Sequence, residues 1–133
     1  MATFKKLEDI ESWQIAREIS KEIYRLSKLG DFAKDFELRG QARASSGSMM
    51  DNIAEGFDRG SKNEFVQFLT IAKGSAGELK SQLYRAVDNK YISQTDFDNL
   101  YSETDKYSKM VAGLISYLNQ SDIRGQKFKN RVN

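Results

Sequence analysis

An all-α, antiparallel up-down-up-down four-helix bundle is the fold class this sequence predicts, on three observations. Apolar residues recur at steps of three and four along four long segments, the spacing that places them on one stripe of a helix. No segment of useful length alternates apolar and polar residues as a half-buried strand would. The 133 residues include no proline. A chain of that length suits one core, so we expect a bundle over residues 1–120 and a basic, flexible tail over 121–133. Short connections force neighbouring helices antiparallel, which gives the up-down-up-down order.

The first segment runs from about Leu7 to Leu29, with Ile10, Trp13, Ala16, Ile19, Ile23 and Leu26 on its stripe. Lys28 complements the dipole at its end, and Gly30 supplies a left-handed C-cap. The second, from about Lys34 to Asp58, carries Leu38, Ala42, Met49, Ile53 and Phe57. Its face is thinner, because QARASSGSMM fills many positions with small residues. Gly47 there costs about 1 kcal/mol relative to alanine, so packing or function favours a small side chain. Gly60 ends this helix, and Ser61 with Glu64 three residues on forms a capping box for the third. That helix, about Lys62 to Val87, buries Phe65, Phe68, Leu69, Ala72, Ala76, Leu79, Leu83 and Ala86. The pattern breaks at DNKYISQ. Ser93 with Asp96, or Thr95 with Asp98, then caps a fourth helix bearing Phe97, Leu100, Tyr101, Tyr107, Val111, Leu114, Ile115 and Leu118.

Composition narrows the chemistry. The chain has no histidine and no cysteine, so the usual zinc and di-iron ligand sets, protease triads and histidine base catalysis are all missing. We expect no enzyme, no catalytic residue, no metal and no cofactor. The enzymatic arrangement still open is a divalent metal on Glu55 and Glu78, and nothing in the sequence shows that these carboxylates meet. The N-terminal MATFKKLEDIESW lacks the apolar segment of a secretory signal, and no run of about eighteen apolar residues exists to cross a membrane. A cytoplasmic protein is the expectation. Formal charge is only +2. The last thirteen residues hold Arg124, Lys127, Lys129 and Arg131 against Asp122, a net +3, which leaves −1 on the body.

Several constellations are candidate sites. Beside the apolar line of the second helix runs a polar line, Gln41, Ser48, Asn52 and Glu55, suited either to a hydrogen-bond network that fixes helix register or to a subunit, ligand or RNA contact. Glu55 also has Arg59 four residues on, the spacing of a surface helix pair. Lys62, Lys73 and Lys80 fall within about 20° of one another on a helical wheel, with Arg59 close by. They form either a solvated stripe or a phosphate-binding surface. Gly74 and Gly77 face away from the core, where they are tolerated at a cost or admit a neighbouring backbone at a subunit or partner interface. FKNR in the tail mixes an aromatic with cations, as in a solubilising end or a segment that stacks on single-stranded nucleic acid.

NIAEGF (Asn52 to Phe57), Arg59 and SKNEFVQFLTIAKGSAGEL (Ser61 to Leu79), with Trp13 and IYRLSK (Ile23 to Lys28) upstream, together resemble a known family. It comprises the four-helix-bundle proteins first noticed as products of intervening sequences within bacterial 23S ribosomal RNA genes. The likeness covers roughly residues 4 to 120. It departs at SSGSMMD, where the family usually has a serine-rich, often proline-containing lead, and at the missing proline after the first helix. The resemblance implies a four-helix bundle that assembles into a homo-oligomer, typically a pentamer. It marks Asn52, Glu55, Ser75 and Glu78 as a polar set within the shared motif. A related branch comprises accessory proteins of diversity-generating retroelements, which bind a reverse transcriptase and nucleic acid. The leading expectation is an oligomeric bundle that binds structured or ribosomal RNA through Arg59, Lys62, Lys73, Lys80 and the tail cations. The alternative is an oligomeric protein adaptor, such as a reverse-transcriptase accessory subunit.

Overall fold

The computed structural model describes the backbone of residues 4–132 and the side chains of residues 4–120. Four α-helices make up the described chain, with no strand among them: α1 (Glu11–Ser27), α2 (Phe36–Asp58), α3 (Lys62–Asp88) and α4 (Gln94–Val132). Side-chain contacts fix their directions. Arg43 donates to Ser27 between α2 and α1, Ser48 meets Ser75 and Arg85 reaches Gln41 between α2 and α3, and Lys80 pairs with Asp105 between α3 and α4. Residue numbers rise in opposite senses between α2 and α3, and also between α3 and α4, where Tyr84 packs on Phe97 beyond the Lys80–Asp105 pair. With the short α1–α2 connection this is the predicted up-down-up-down bundle.

The core is the predicted one with additions. Ile10, Ala16, Ile19, Ile23 and Leu26 from the first stripe are buried, as are Leu38, Ala42, Met49 and Ile53 from α2. The centre is closed by Tyr107, whose ring is fully buried and whose hydroxyl donates to the Met49 carbonyl at 2.8 Å. Ser46 and Thr104 are also buried, each hydroxyl donating to a carbonyl of its own helix, so that small polar residues enter the core without an unmade bond. Trp13, Phe57 and Phe68 are only half-buried.

Two helix starts differ from expectation. The first helix does not begin at Leu7. A 3₁₀ turn spans Leu7–Asp9, and α1 starts after an extended Ile10. The cause is the Asp9 carboxylate, which folds back to accept the Lys5 and Lys6 N–H groups at 3.0 and 3.2 Å, a local bond that competes with helix. At α2 a 3₁₀ turn over Phe32–Lys34 precedes Asp35, whose side chain caps the helix by accepting from Leu38 N at 3.0 Å. Phe32 is buried and stacks on Tyr91 with centroids 5.6 Å apart, and the Tyr91 hydroxyl donates to Asp35 at 3.0 Å. One residue cluster thereby ties the α1–α2 connection to the α3–α4 connection.

The expected caps form, except that at Ser61 only the serine half of the capping box is made, the Glu64 carboxylate facing Arg59 instead. Gly30 has φ +53° and Gly60 φ +76°. Ser61 accepts from Glu64 N at 3.4 Å, and Ser93 from Asp96 N at 3.0 Å. At the α2–α3 corner Gly56 is required by packing: a Cβ there would lie 2.7 Å from the Phe68 Cβ. A Cβ at Gly47, Gly74 or Gly77 would meet nothing within 4 Å, so among the described residues no neighbouring backbone approaches those three.

Candidate nucleic-acid interface

The polar line of α2 lies along its seam with α3. At the middle, Ser48 Oγ and Ser75 Oγ are 2.8 Å apart, and Asn52 Nδ2 donates to Ser48 O and Oγ at 3.0 and 2.7 Å. At one end Gln41 accepts from Arg85 at 2.7 Å. At the other, Glu55 pairs with Arg59 at 2.9 Å, and Arg59 also approaches Glu64 at 3.7 Å while its guanidinium lies over the Phe68 ring. The seam is thus a register-fixing network. Of the motif's polar set, Asn52 and Ser75 are joined through Ser48, Glu55 turns to Arg59, and Glu78 is exposed.

A metal shared by Glu55 and Glu78 does not fit this arrangement. Glu55 lies seven residues beyond Ser48 and Glu78 three beyond its partner Ser75, on antiparallel helices. At 1.5 Å per residue the carboxylates stand about 15 Å apart along the bundle. Among the described residues no group of three or more carboxylates is placed to hold a metal ion.

The cations of α3 share one side of the helix and meet different surroundings. Lys80 is drawn into the α3–α4 seam, 2.8 Å from Asp105 and over the Tyr101 ring. Lys109 meets the same carboxylate at 3.0 Å. The hydrogen bond from Lys80, then that from Lys109, holds the Asp105 carboxyl below the usual aspartate range. Arg59 stands between two carboxylates. Lys73 is exposed, and half-buried Lys62 lines a cleft of about 300 Å³ with Gly56, Phe57 and Phe65. The side chains of the tail cations Arg124, Lys127, Lys129 and Arg131 lie outside those described, whereas the backbone of the segment expected as a loose tail continues α4 as far as Val132. Because α4 runs antiparallel to α3, the chain passes Gln120 at the end of the bundle that holds the α2–α3 turn, with Arg59 and Lys62.

Sequence inspection missed Asp105. Its one local signal is an i,i+4 spacing to Lys109, and its pairing with Lys80 crosses between helices. Gly74 and Gly77 lie on the outer face of α3, near exposed Ile71 and Tyr84.

Residues 8–113 match the family model described as 23S rRNA-intervening sequence protein. The fold is similar to the crystal structure of a protein of unknown function from the S23 ribosomal protein family of Bacteroides thetaiotaomicron, with a TM-score of 0.73 and 22% identity over 79% of this chain and 95% of that one. No curated protein matches the sequence. No helix among the described residues is long and apolar enough to cross a membrane.

Proposed function

The chain belongs to the 23S rRNA-intervening sequence protein family, and we propose that it is a non-catalytic, oligomeric bundle that binds structured RNA, ribosomal RNA foremost. The supporting observation is the convergence of Arg59, Lys62 and the exit of a tail carrying net +3 at one end of the bundle. Cations gathered at one end neutralise phosphates and release counterions, a term that needs no base-specific pocket. Lys73 extends this surface along α3. Lys80 contributes only by giving up Asp105.

Filter binding to a ribosomal RNA hairpin at low salt tests the reading. Replacing Lys62, Lys73 and the four tail cations should weaken binding across RNA sequences and lower the salt slope by roughly one for each phosphate no longer neutralised. Absence of binding at low salt, or binding indifferent to those substitutions, refutes it.

A second reading is favoured by the open glycine face of α3: an adaptor that docks a protein such as a reverse transcriptase. Gly74 and Gly77 leave a bare strip beside Ile71 and Tyr84, which are 53% and 51% exposed. Co-purification of a partner at moderate salt, abolished by Gly77→Leu, supports this reading, and a partner retained by that variant removes it.

A further inference from the structure

The face built by α1 and α2 carries charge and aromatic surface that neither the core nor the α3 cations account for. Three arginine–aromatic contacts lie along it: Arg17 is 5.9 Å from the Trp13 ring centroid, Arg43 4.7 Å from Tyr24 and Arg39 4.7 Å from Phe36. Tyr24 is 43% exposed and Phe36 71%. Among the described residues none of these three arginines is in an ion pair, whereas Lys21, Arg25 and Lys34 on the same two helices and their connection each have one. Arg43 Nε donates to Ser27 Oγ at 2.8 Å, and Arg39 Nη1 to the Ala33 carbonyl at 2.9 Å. Each guanidinium has five N–H donors, so about four remain on each for a group outside the chain.

Next to the Tyr24–Arg43 pair, α2 exposes nearly bare backbone. A cleft of about 520 Å³ lies between Tyr24, Arg43, Gly40, Ala44 and Gly47, with Asp51 its one acidic lining residue. Tyr24 also walls a second cleft, of about 590 Å³, on whose rim stand Lys21, Arg25 and Lys28. Of these, Lys21 and Arg25 are matched by Glu18 and Glu22. A Cβ at Gly40 or Gly47 would meet nothing within 4 Å, so packing does not demand the glycines.

We infer that this face binds single-stranded RNA, with a base stacked on the Tyr24–Arg43 pair and backbone phosphates at Arg39, Arg17 and Lys28. An exposed ring stacked with a guanidinium is a platform for any base, since every base has a π-face. Guanidiniums without a carboxylate partner offer phosphate the forked, charge-assisted contacts it accepts best. A paired A-form helix keeps its base faces stacked inside, so the platform selects unpaired nucleotides. An acidic peptide would use the charges and leave the ring idle. The inference takes RNA as the ligand class from the proposed function, yet none of its residues lies in the α2–α3 turn or the tail.

The experiment is fluorescence anisotropy of the full chain with a labelled oligouridine and, separately, with a blunt RNA hairpin. Tyr24→Ala should weaken oligouridine binding roughly 5- to 150-fold, the worth of one stacked base, while Tyr24→Phe stays near the parent. Arg39→Gln should lower the single-strand salt slope by about 0.7. Gly47→Leu fills the cleft from its open side, so it should abolish oligouridine binding with helical circular dichroism retained and the thermal midpoint not lowered. Oligouridine binding unchanged in Tyr24→Ala and Gly47→Leu overturns the inference, as does displacement by polyglutamate more readily than by unlabelled oligouridine. If the hairpin still binds through the tail in that case, the proposed function stands alone. If neither RNA binds at low salt, both fall.

Discussion

At the residue scale, glycines of one helix have opposite roles, and only contacts distinguish them. Gly56 sits where α2 and α3 approach so closely that an added methyl lands 2.7 Å from the Phe68 Cβ. Gly56→Ala should therefore destabilise by about 1–3 kcal/mol, the range for overpacking. Gly47→Ala, with open space around it, should stabilise by up to about 1 kcal/mol through helix propensity. Thermal unfolding of the two variants checks the opposite signs. Tyr107 gives a second test. Burial pushes its phenol above the usual tyrosine range, so the unfolded chain ionises first as pH rises. Tyr107 thus contributes stability that is complete below about pH 10 and declines above it. Tyr107→Phe removes the bond to the Met49 carbonyl, at a cost of roughly 1 kcal/mol at neutral pH. It should also flatten the alkaline decline in urea midpoints measured from about pH 8 to 11.

At the element scale, α2 and α3 are held by a polar seam as well as by apolar contact. Ser48 is its hub, bonded to Ser75 across the seam and to Asn52 along α2. A double-mutant cycle with Ser48→Ala and Ser75→Ala should show coupling of about 0.5–1.5 kcal/mol in chemical denaturation, and additivity of the two would contradict the hub. The α3–α4 seam is pinned by Lys80 and Lys109 on Asp105. The Asp105 carboxyl is held low, so its contribution is present above the ordinary aspartate pKa of about 4 and disappears as pH falls through the folded value. Asp105→Asn should make stability less sensitive to acid between about pH 5 and 2. The same change releases Lys80. If the α3 cations contact RNA, filter binding of the variant will be tighter than the parent's at equal salt.

At the scale of the whole molecule, light scattering addresses the assembly. The family resemblance implies a pentamer, and a monomer at micromolar concentration would remove both that expectation and the interface role of Gly74 and Gly77. The sequence by itself determined the bundle. Four stripes at helical period, Gly30 and Gly60 beyond helix ends, and Ser61 and Ser93 at helix starts are local signals, and local backbone and burial preferences read them directly. It also placed the α2 polar line correctly, because a line on one helix is a property of that helix. The tertiary structure alone decided what each polar or charged group meets. Asp105 on α4 takes Lys80 out of an apparent lysine stripe, Phe32 and Tyr91 clamp two distant connections together, and Arg17, Arg39 and Arg43 come to one face with no carboxylate paired to them. The physical reason is that charge pairing and ring contacts act through space over a few ångströms. Helical period fixes neighbours only along one helix, and packing supplies the neighbours across it.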